Sequence, residues 1–565
     1  MESSVPLELP TGRGFSVSYR GKTLLSRVDP VAQCERLAAG IPVKDRTLYL
    51  CPSPLYGYGL SILLDKLEAN SAVLCVEADE KLFALSKANL KRYSDNPSVF
   101  SNGRSLNPLA LAHAKDPGEI CALARETWGK RIFRRVEVVR FSGGWQLSRQ
   151  LYEDIETALR REIAIEWGNA MTLIRLGRLY ARNLVRNLAL LPGSESLSAL
   201  DFSSQPVLVL GAGPSLDSVL EEAGVLAGEK RRFRIVCVDT CLPALLERSI
   251  SPDLVVVLES QHWNLADFSG ARGRKIDAAL DLSALPASGR VLAGKRYFFA
   301  TPWTRLALFG RLEAEGFLPK TFPPMGSVGL SSVALALAAT RGPVFTAGID
   351  FSYTLDAYHG RSTPGRRNLE NKQSRFRTLI NAGAAFREGT FVTLSKSGEK
   401  VRSDPALRNY RDLFEEEFGA NPQIFDIAGS GLPLGIKTLS VAEAFTLLDG
   451  GGAILNEIDE KASIPGEPAR NFSANPLWEK LQDFMRREMG LLTELKETLS
   501  GNVPPEHLEG LLDDCDYLWA HFPECAGTGC RPPSTDISFL KRVRTEIDPF
   551  LKLWEMSLWE VGIGE

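Results

Sequence analysis

Residues 206–217 read Pro-Val-Leu-Val-Leu-Gly-Ala-Gly-Pro-Ser-Leu-Asp, and this stretch decides the fold. Four apolar residues in a row predict a strand buried on both faces, and a glycine turn then runs into a helix start. Glycine lets backbone approach a ligand closely, and the exposed amides of a helix N-terminus bind phosphate. No Gly-Lys-Ser/Thr follows, so the turn is not a Walker loop. Leu216 stands where a dinucleotide fingerprint has its third glycine, so it is not that motif either.

Working outward, further strands are expected at 234–239, 254–259, 296–300, 344–347 and 423–426, with helical patterns between most of them. Strands alternating with helices predict an α/β fold: a central Rossmann-like, mainly parallel sheet that binds its ligand at the strands' carboxyl ends. Polar residues gather at that edge. Asp239-Thr240 and Glu259-Ser260 end two strands and suit a ribose or base edge, although Thr240 has the alternative of capping the next helix. Met325-Gly326-Ser327-Val328-Gly329 opens a second helix with free hydroxyls and amides, or serves tight helix packing through Gly326 and Gly329. Asp350 ends the strand before Phe351-Ser352-Tyr353, either as a carboxylate at the ligand edge or as a buried, hydrogen-bonded acid.

The flanks divide the chain. Residues 1–145 contain a βαβ unit between 46 and 89, with a glycine turn at Gly57 and Gly59 and the acid Glu77 ending its second strand. Ile62 replaces the third glycine of a nucleotide fingerprint, which leaves either a cofactor site or an α/β domain used for assembly. Residues 146–200 predict one or two linking helices with an arginine stripe at Arg175, Arg178, Arg182 and Arg186, three or four apart. The central α/β domain runs over 201–448, and 449–565 form a helical domain in which Trp478, Trp519, Trp554 and Trp559 read as core or interface anchors.

Composition narrows the function classes. At 565 residues the chain exceeds a single core, and 66 Lys plus Arg against 69 Asp plus Glu give no global reason for nucleic-acid binding. No run reaches the roughly 18 apolar residues of a membrane helix. The first residues lack the basic and apolar regions of a secretory signal, so a cytoplasmic location is expected. Nine scattered cysteines without a CxxC pair are expected to be reduced thiols rather than zinc ligands.

Taken in order, GAGPSLD, VDT, LES, MGSVGLSSVALALA and AGIDFSY resemble the motility accessory factor family, and more distantly the bacterial sialyltransferases that use CMP-sialic acid. The resemblance covers roughly 205–440. It implies a glycosyltransferase that moves a nonulosonic acid (pseudaminic, legionaminic or sialic-acid-like) from its CMP donor to Ser/Thr hydroxyls of flagellin. By that resemblance Gly211, Gly213, Pro214 and Ser215 would hold the nucleotide, and Ser327 would contact phosphate or sugar. Asp239 and Glu259 would sit where the sialyltransferases place amides for cytidine and ribose, a departure from their pattern.

After Asp350 comes a polar segment with His359, one of five histidines. It is similar to the family's histidine loop, and transfer to a hydroxyl needs a proton acceptor, a part an imidazole with pKa near 6.5 can play. A surface histidine with no task is the alternative. Arg361, Arg366, Arg367, Lys372, Arg375 and Arg377 make the segment basic, either to grip phosphate and carboxylate or as a solvated loop. Hydrogen-bond donors can stabilise a departing CMP, so no metal is obligatory, while assistance by a divalent ion stays open. The central region is also similar to the hydroxymethylpterin diphosphokinases, whose chemistry would need ATP and magnesium on Asp239, Glu259 and Asp350. A catalytically inert flagellin-binding chaperone is the third reading.

Overall fold

The structure is a computed structural model that describes residues 5–68, 70–94, 107–129, 133–222, 233–379, 387–427, 429–449, 475–501 and 507–563. They form two compact units, Met1–Arg175 with Trp519–Pro533, and Leu176–Leu518 with Ser534–Glu565.

In the first unit, β1 (Leu7–Pro10), β2 (Phe15–Tyr19) and β3 (Lys22–Thr23) make an antiparallel meander. A parallel sheet follows, with β4 (Thr47–Pro52), β5 (Ala72–Glu77), β6 (Leu109–His113) and β7 (Arg135–Val138) in the order β6-β5-β4-β7. Every residue of β4 and β5 is buried, which is why both read as unbroken apolar runs. The expected βαβ unit is present as β4, the helix Leu60–Lys66 and β5. Its nucleotide-like features serve the protein itself. Glu77 is buried and accepts from the Ser53 hydroxyl (2.7 Å), the Tyr152 hydroxyl (3.1 Å) and the Ala78 amide (3.0 Å). Gly59, in the left-handed region, lies against the Cys34 backbone, and the Tyr58 hydroxyl accepts the Phe15 amide at 2.8 Å. The segment before β4 thus fills the space over the glycine turn.

The arginine stripe lies on a single 40-residue helix, Arg149–Leu188, about 60 Å long at 1.5 Å per residue. Its Arg178 is ion-paired with Glu546 at 2.7 Å.

Among the described residues the second unit carries an eight-stranded, all-parallel sheet: β8 (Val207–Leu210), β9 (Arg234–Val238), β10 (Leu254–Val257), β11 (Asp277–Asp281), β12 (Arg296–Phe299), β13 (Val344–Ala347), β16 (Ile424–Ile427) and β17 (Lys437–Leu439). A hairpin of β14 (Phe391–Leu394) and β15 (Lys400–Ser403) intervenes. The order β12-β11-β10-β9-β8-β13-β16-β17 shows the chain working outward from β8 to β12 and then returning to the other side of β8. The switch point, where open α/β sheets bind ligands, is therefore between β8 and β13. The small-residue helix Val328–Ala339 packs on β8, β9, β10 and β13. β11 and β17 were not expected: Asp-Ala-Ala-Leu-Asp has residues depleted in strands, and β17 is a three-residue edge.

The helices Asn475–Leu499 and Ile537–Ile563 pack on each other and join the same unit as the sheet. Arg311 clasps the buried Glu488 carboxylate through two nitrogens (2.6 and 2.8 Å), and Phe317 meets Phe484 edge-on at 5.7 Å. Trp554 is fully buried there, while Trp559 is 69% exposed. Among the described residues no helix is long and apolar enough to cross a membrane.

Candidate functional site

At the switch point the turn after β8 is locked against the extension of β13. The Gly211 amide donates to Ala347 O and the Gly213 amide to Gly348 O, both at 2.8 Å. Ser215 donates its amide to Asp350 Oδ2 (2.7 Å) and its hydroxyl to Oδ1 (2.5 Å). A Cβ on Gly213 would stand 2.7 Å from Asp350 Cγ, and one on Gly211 would stand 2.7 Å from the Gly348 carbonyl carbon. The Gly211 and Gly213 amides, expected at a phosphate, are donated within the protein, where the missing side chains let two loops interlock. Gly429 and Gly431 close the other side, their would-be Cβ atoms 2.7 Å from Ser215 Cβ and Asp350 Cα.

Asp350 is therefore the buried, hydrogen-bonded acid of the two readings. Burial raises its pKa, opposed by the two Ser215 donors and by Lys396. Each of its oxygens accepts one bond from Ser215, so it holds the loop that carries Pro214. Lys396, nearby in the chain's packing, forms a buried ion pair with Asp426 at 2.5 Å.

The segment with His359 docks directly on this loop. The Gly360 amide donates to Ala212 O (3.0 Å), and the Arg361 amide reaches both oxygens of Asp217 (2.9 and 3.0 Å). His359 thus sits next to the turn, its ring edge-on to Tyr358 at 4.8 Å. Burial pulls its pKa down to about 4, so the imidazole is neutral around pH 7, free to accept a proton but weakly basic. Several cations expected to grip a ligand are already paired: Arg361 with Glu221 (3.5 Å), Arg366 with Glu370 (2.7 Å) and Arg367 with Glu247.

Asp239, just after β9, and Asp267, in the turn His262–Phe268, form a pair of acids. Asp239 accepts from the Thr240 amide (2.8 Å) and from Asn264 Nδ2 (2.7 Å), and the same Nδ2 reaches Asp267 at 3.2 Å. The Thr240 hydroxyl lies 3.4 Å from both carboxylates, so it does not cap the following helix. Burial, then mutual repulsion, lifts Asp267 to about 7; burial lifts Asp239 to about 6. Glu259 ends the next strand exposed, accepting the Gln261 amide at 2.9 Å. Asn264 and Asp267 carry no pattern that would have singled them out; neither falls on a strand end or in a glycine turn.

Ser327 occupies the N-cap position of the helix Val328–Ala339 without bonding its amides, and the Ser331 hydroxyl in that first turn is buried without a partner. Gly326 has φ +68° and faces the Tyr410 ring. Tyr180, on the long helix, is raised to about 12 by burial and then by Glu259, Asp281 and Tyr410. The same helix clamps the loops after β10 and β11: Asn183 Nδ2 donates to Ser260 O and Ser283 O, and Asn187 Nδ2 to Leu282 O and Ala284 O. Asp281, at the end of the unexpected β11, is clasped by Ser283 and Thr301 much as Asp350 is by Ser215.

Among the described residues no three His, Cys, Asp or Glu side chains are grouped to hold a metal ion. The carboxyl ends of the sheet's strands instead carry hydroxyls, a helix start without a side-chain cap, a neutral imidazole after β13 and an acid pair that shares the Asn264 and Thr240 donors.

Known proteins match this chain in three ways. The family model of 6-hydroxymethylpterin diphosphokinase MptE-like proteins matches residues 180–356. A Treponema pallidum (strain Nichols) protein described as uncharacterized is 31% identical over 97% of this chain and 95% of its own length. The solved structure of the Maf glycosyltransferase from Magnetospirillum magneticum AMB-1 superposes with a TM-score of 0.52 at 15% identity, covering 97% of this chain and 90% of that one. At that identity the likeness is one of fold.

Proposed function

The chain belongs to one family with the Treponema pallidum protein, and we propose that it is a glycosyltransferase acting at the β8/β13 switch point. In this reading it moves a nonulosonic acid from a CMP donor to Ser/Thr hydroxyls of flagellin, in the cytoplasm and with inversion. The observation that carries the reading is the likeness of fold over nearly the whole chain to the Maf glycosyltransferase, flanking regions included. A central sheet alone would be a weaker support, because one fold hosts many chemistries.

The residues divide the work as follows. Ser327 and the start of the helix Val328–Ala339 receive the donor's phosphate, with Gly326 making the turn into that helix at positive φ. Pro214 and Ala212, on the loop that Asp350 and Ser215 hold, form the wall beside the nucleotide, and Thr240 and Glu259 face the ribose and base. His359, beside the loop, accepts the acceptor hydroxyl's proton as the glycosidic bond forms and CMP leaves with the electron pair of the broken bond.

Intact-mass analysis of flagellin from cells with and without the gene tests the reading: loss of a nonulosonic-acid mass increment is expected, and unchanged flagellin mass refutes it. The MptE-like match over 180–356 favours a second reading, ATP-dependent pyrophosphoryl transfer. Calorimetry separates the two, since selective binding of CMP supports sugar transfer and binding of ATP only with magnesium supports the kinase.

A further inference from the structure

We propose that the first unit carries a second binding site, for a small organic anion, in the cleft between residues 23–37 and 140–146. The cleft has a volume of about 730 Å³, within the range of about 300–1,000 Å³ typical of small-molecule sites. Its position follows from the topology. The chain runs from β4 outward to β5 and β6 and returns to β7 on the other side of β4, so the switch point of this sheet lies between β4 and β7. Residues 140–146 of the lining directly follow β7.

The end of β4 itself is closed by the protein. The Ser142 hydroxyl donates to Ser53 O, and the Gly143 amide donates to Leu24 O, both at 2.6 Å. Ser53 and Leu55 adopt φ +52°, a strained backbone for residues with a side chain. The open cleft lies beside these contacts, since Leu24, Ser142 and Gly143 line it together with Arg140 and Trp145.

The chemistry of the lining favours an anion. Arg36 and Arg140 are exposed and, among the described residues, neither guanidinium has a carboxylate partner. The acid of the lining, Asp29, is already engaged: Oδ1 accepts the Ala32 amide at 2.8 Å, and Oδ2 lies 3.9 Å from Arg13. Arg140 stacks over the Trp145 ring at 4.5 Å, with Arg149 5.9 Å from the same ring. Two planar guanidinium forks suit a carboxylate or phosphate, and the indole with exposed Leu37 and Val28 offers an apolar bed for the rest of the molecule. The site is independent of the transfer proposed for the second unit.

Calorimetry on the full chain tests it with three probes: inorganic phosphate, CMP and N-acetylneuraminic acid. At least one is expected to bind and to weaken by about tenfold or more in the double variant Arg36→Ala/Arg140→Ala, about 1.4 kcal/mol or more, with partial retention in the Lys/Lys variant. Which probe responds distinguishes a phosphate from a carboxylate ligand. Both arginines are exposed, so the circular dichroism spectrum and melting curve should not change. A CMP heat that survives the double variant belongs to the other unit and leaves that reading intact. Saturation by none of the three at millimolar concentration, or equal affinity in the folded double variant for every probe that binds, overturns the proposal.

Discussion

Replacing Asp267 by asparagine should stabilise the second unit at neutral and alkaline pH, although it removes a charge at the candidate site. In the folded chain Asp267 shares Asn264 and Thr240 with Asp239, and burial with that repulsion lifts its pKa from 3.8 to about 7. A raised carboxyl pKa means that the folded state binds the proton more tightly than the unfolded one. Its contribution to stability is complete below about pH 4 and lost as pH rises through about 7. At 1.36 kcal/mol per unit the shift corresponds to about 4 kcal/mol. Asp239 contributes part of it, and a buried carboxamide also loses hydration, so about 1–3 kcal/mol should be recovered above pH 7.

Asparagine can still accept from Asn264 and Thr240 through its carbonyl oxygen, so the local geometry survives. Urea unfolding followed by circular dichroism at several values from about pH 4 to 8 measures the effect. Variant and wild type should be nearly equal at about pH 4, with the variant's advantage growing to a plateau above about pH 7. A pH-independent difference, or a less stable variant at pH 8, would refute the account of the acid pair. If the pair also serves transfer, the stabilised variant should be slower, a common trade at active sites.

Three further outcomes follow from the same structure. Gly213→Val should lower the melting temperature of the second unit sharply, because its side chain meets the Asp350 carboxyl group; a stable variant that has lost only CMP binding would restore the direct phosphate contact to that turn. His359→Ala should slow transfer by at least about 10²-fold with CMP affinity retained, and the acid limb of the wild-type rate should lie near pH 4, not at pH 6–7 as an unperturbed imidazole would give. A limb at pH 6–7 that persists in the variant assigns the base elsewhere. Glu488→Ala should cost about 1–3 kcal/mol in denaturant unfolding by removing the two-nitrogen clasp, Arg311 keeping Asp514; a loss below about 0.5 kcal/mol would show that the ion pair does not hold the C-terminal helices to the sheet.

The central strands were legible because a parallel sheet covered on both faces requires unbroken apolar runs, and 207–210 and 344–347 coincide with β8 and β13. β11 was hidden because its place between β10 and β12, rather than its residues, makes Asp-Ala-Ala-Leu-Asp a strand. The strand-end positions of Asp239, Glu259 and Asp350 were likewise readable from where apolar runs stop. What each does was not. A glycine turn announces that something comes close, and phosphate and backbone impose the same demand for a missing Cβ. Only the folded chain brings Asp350 onto Ser215 across 135 residues, and only it pairs Asp239 with Asp267 through an asparagine. The partner of a buried polar group is chosen by the topology of the sheet, because desolvation forces each carboxylate to take whichever donors the crossing loops deliver.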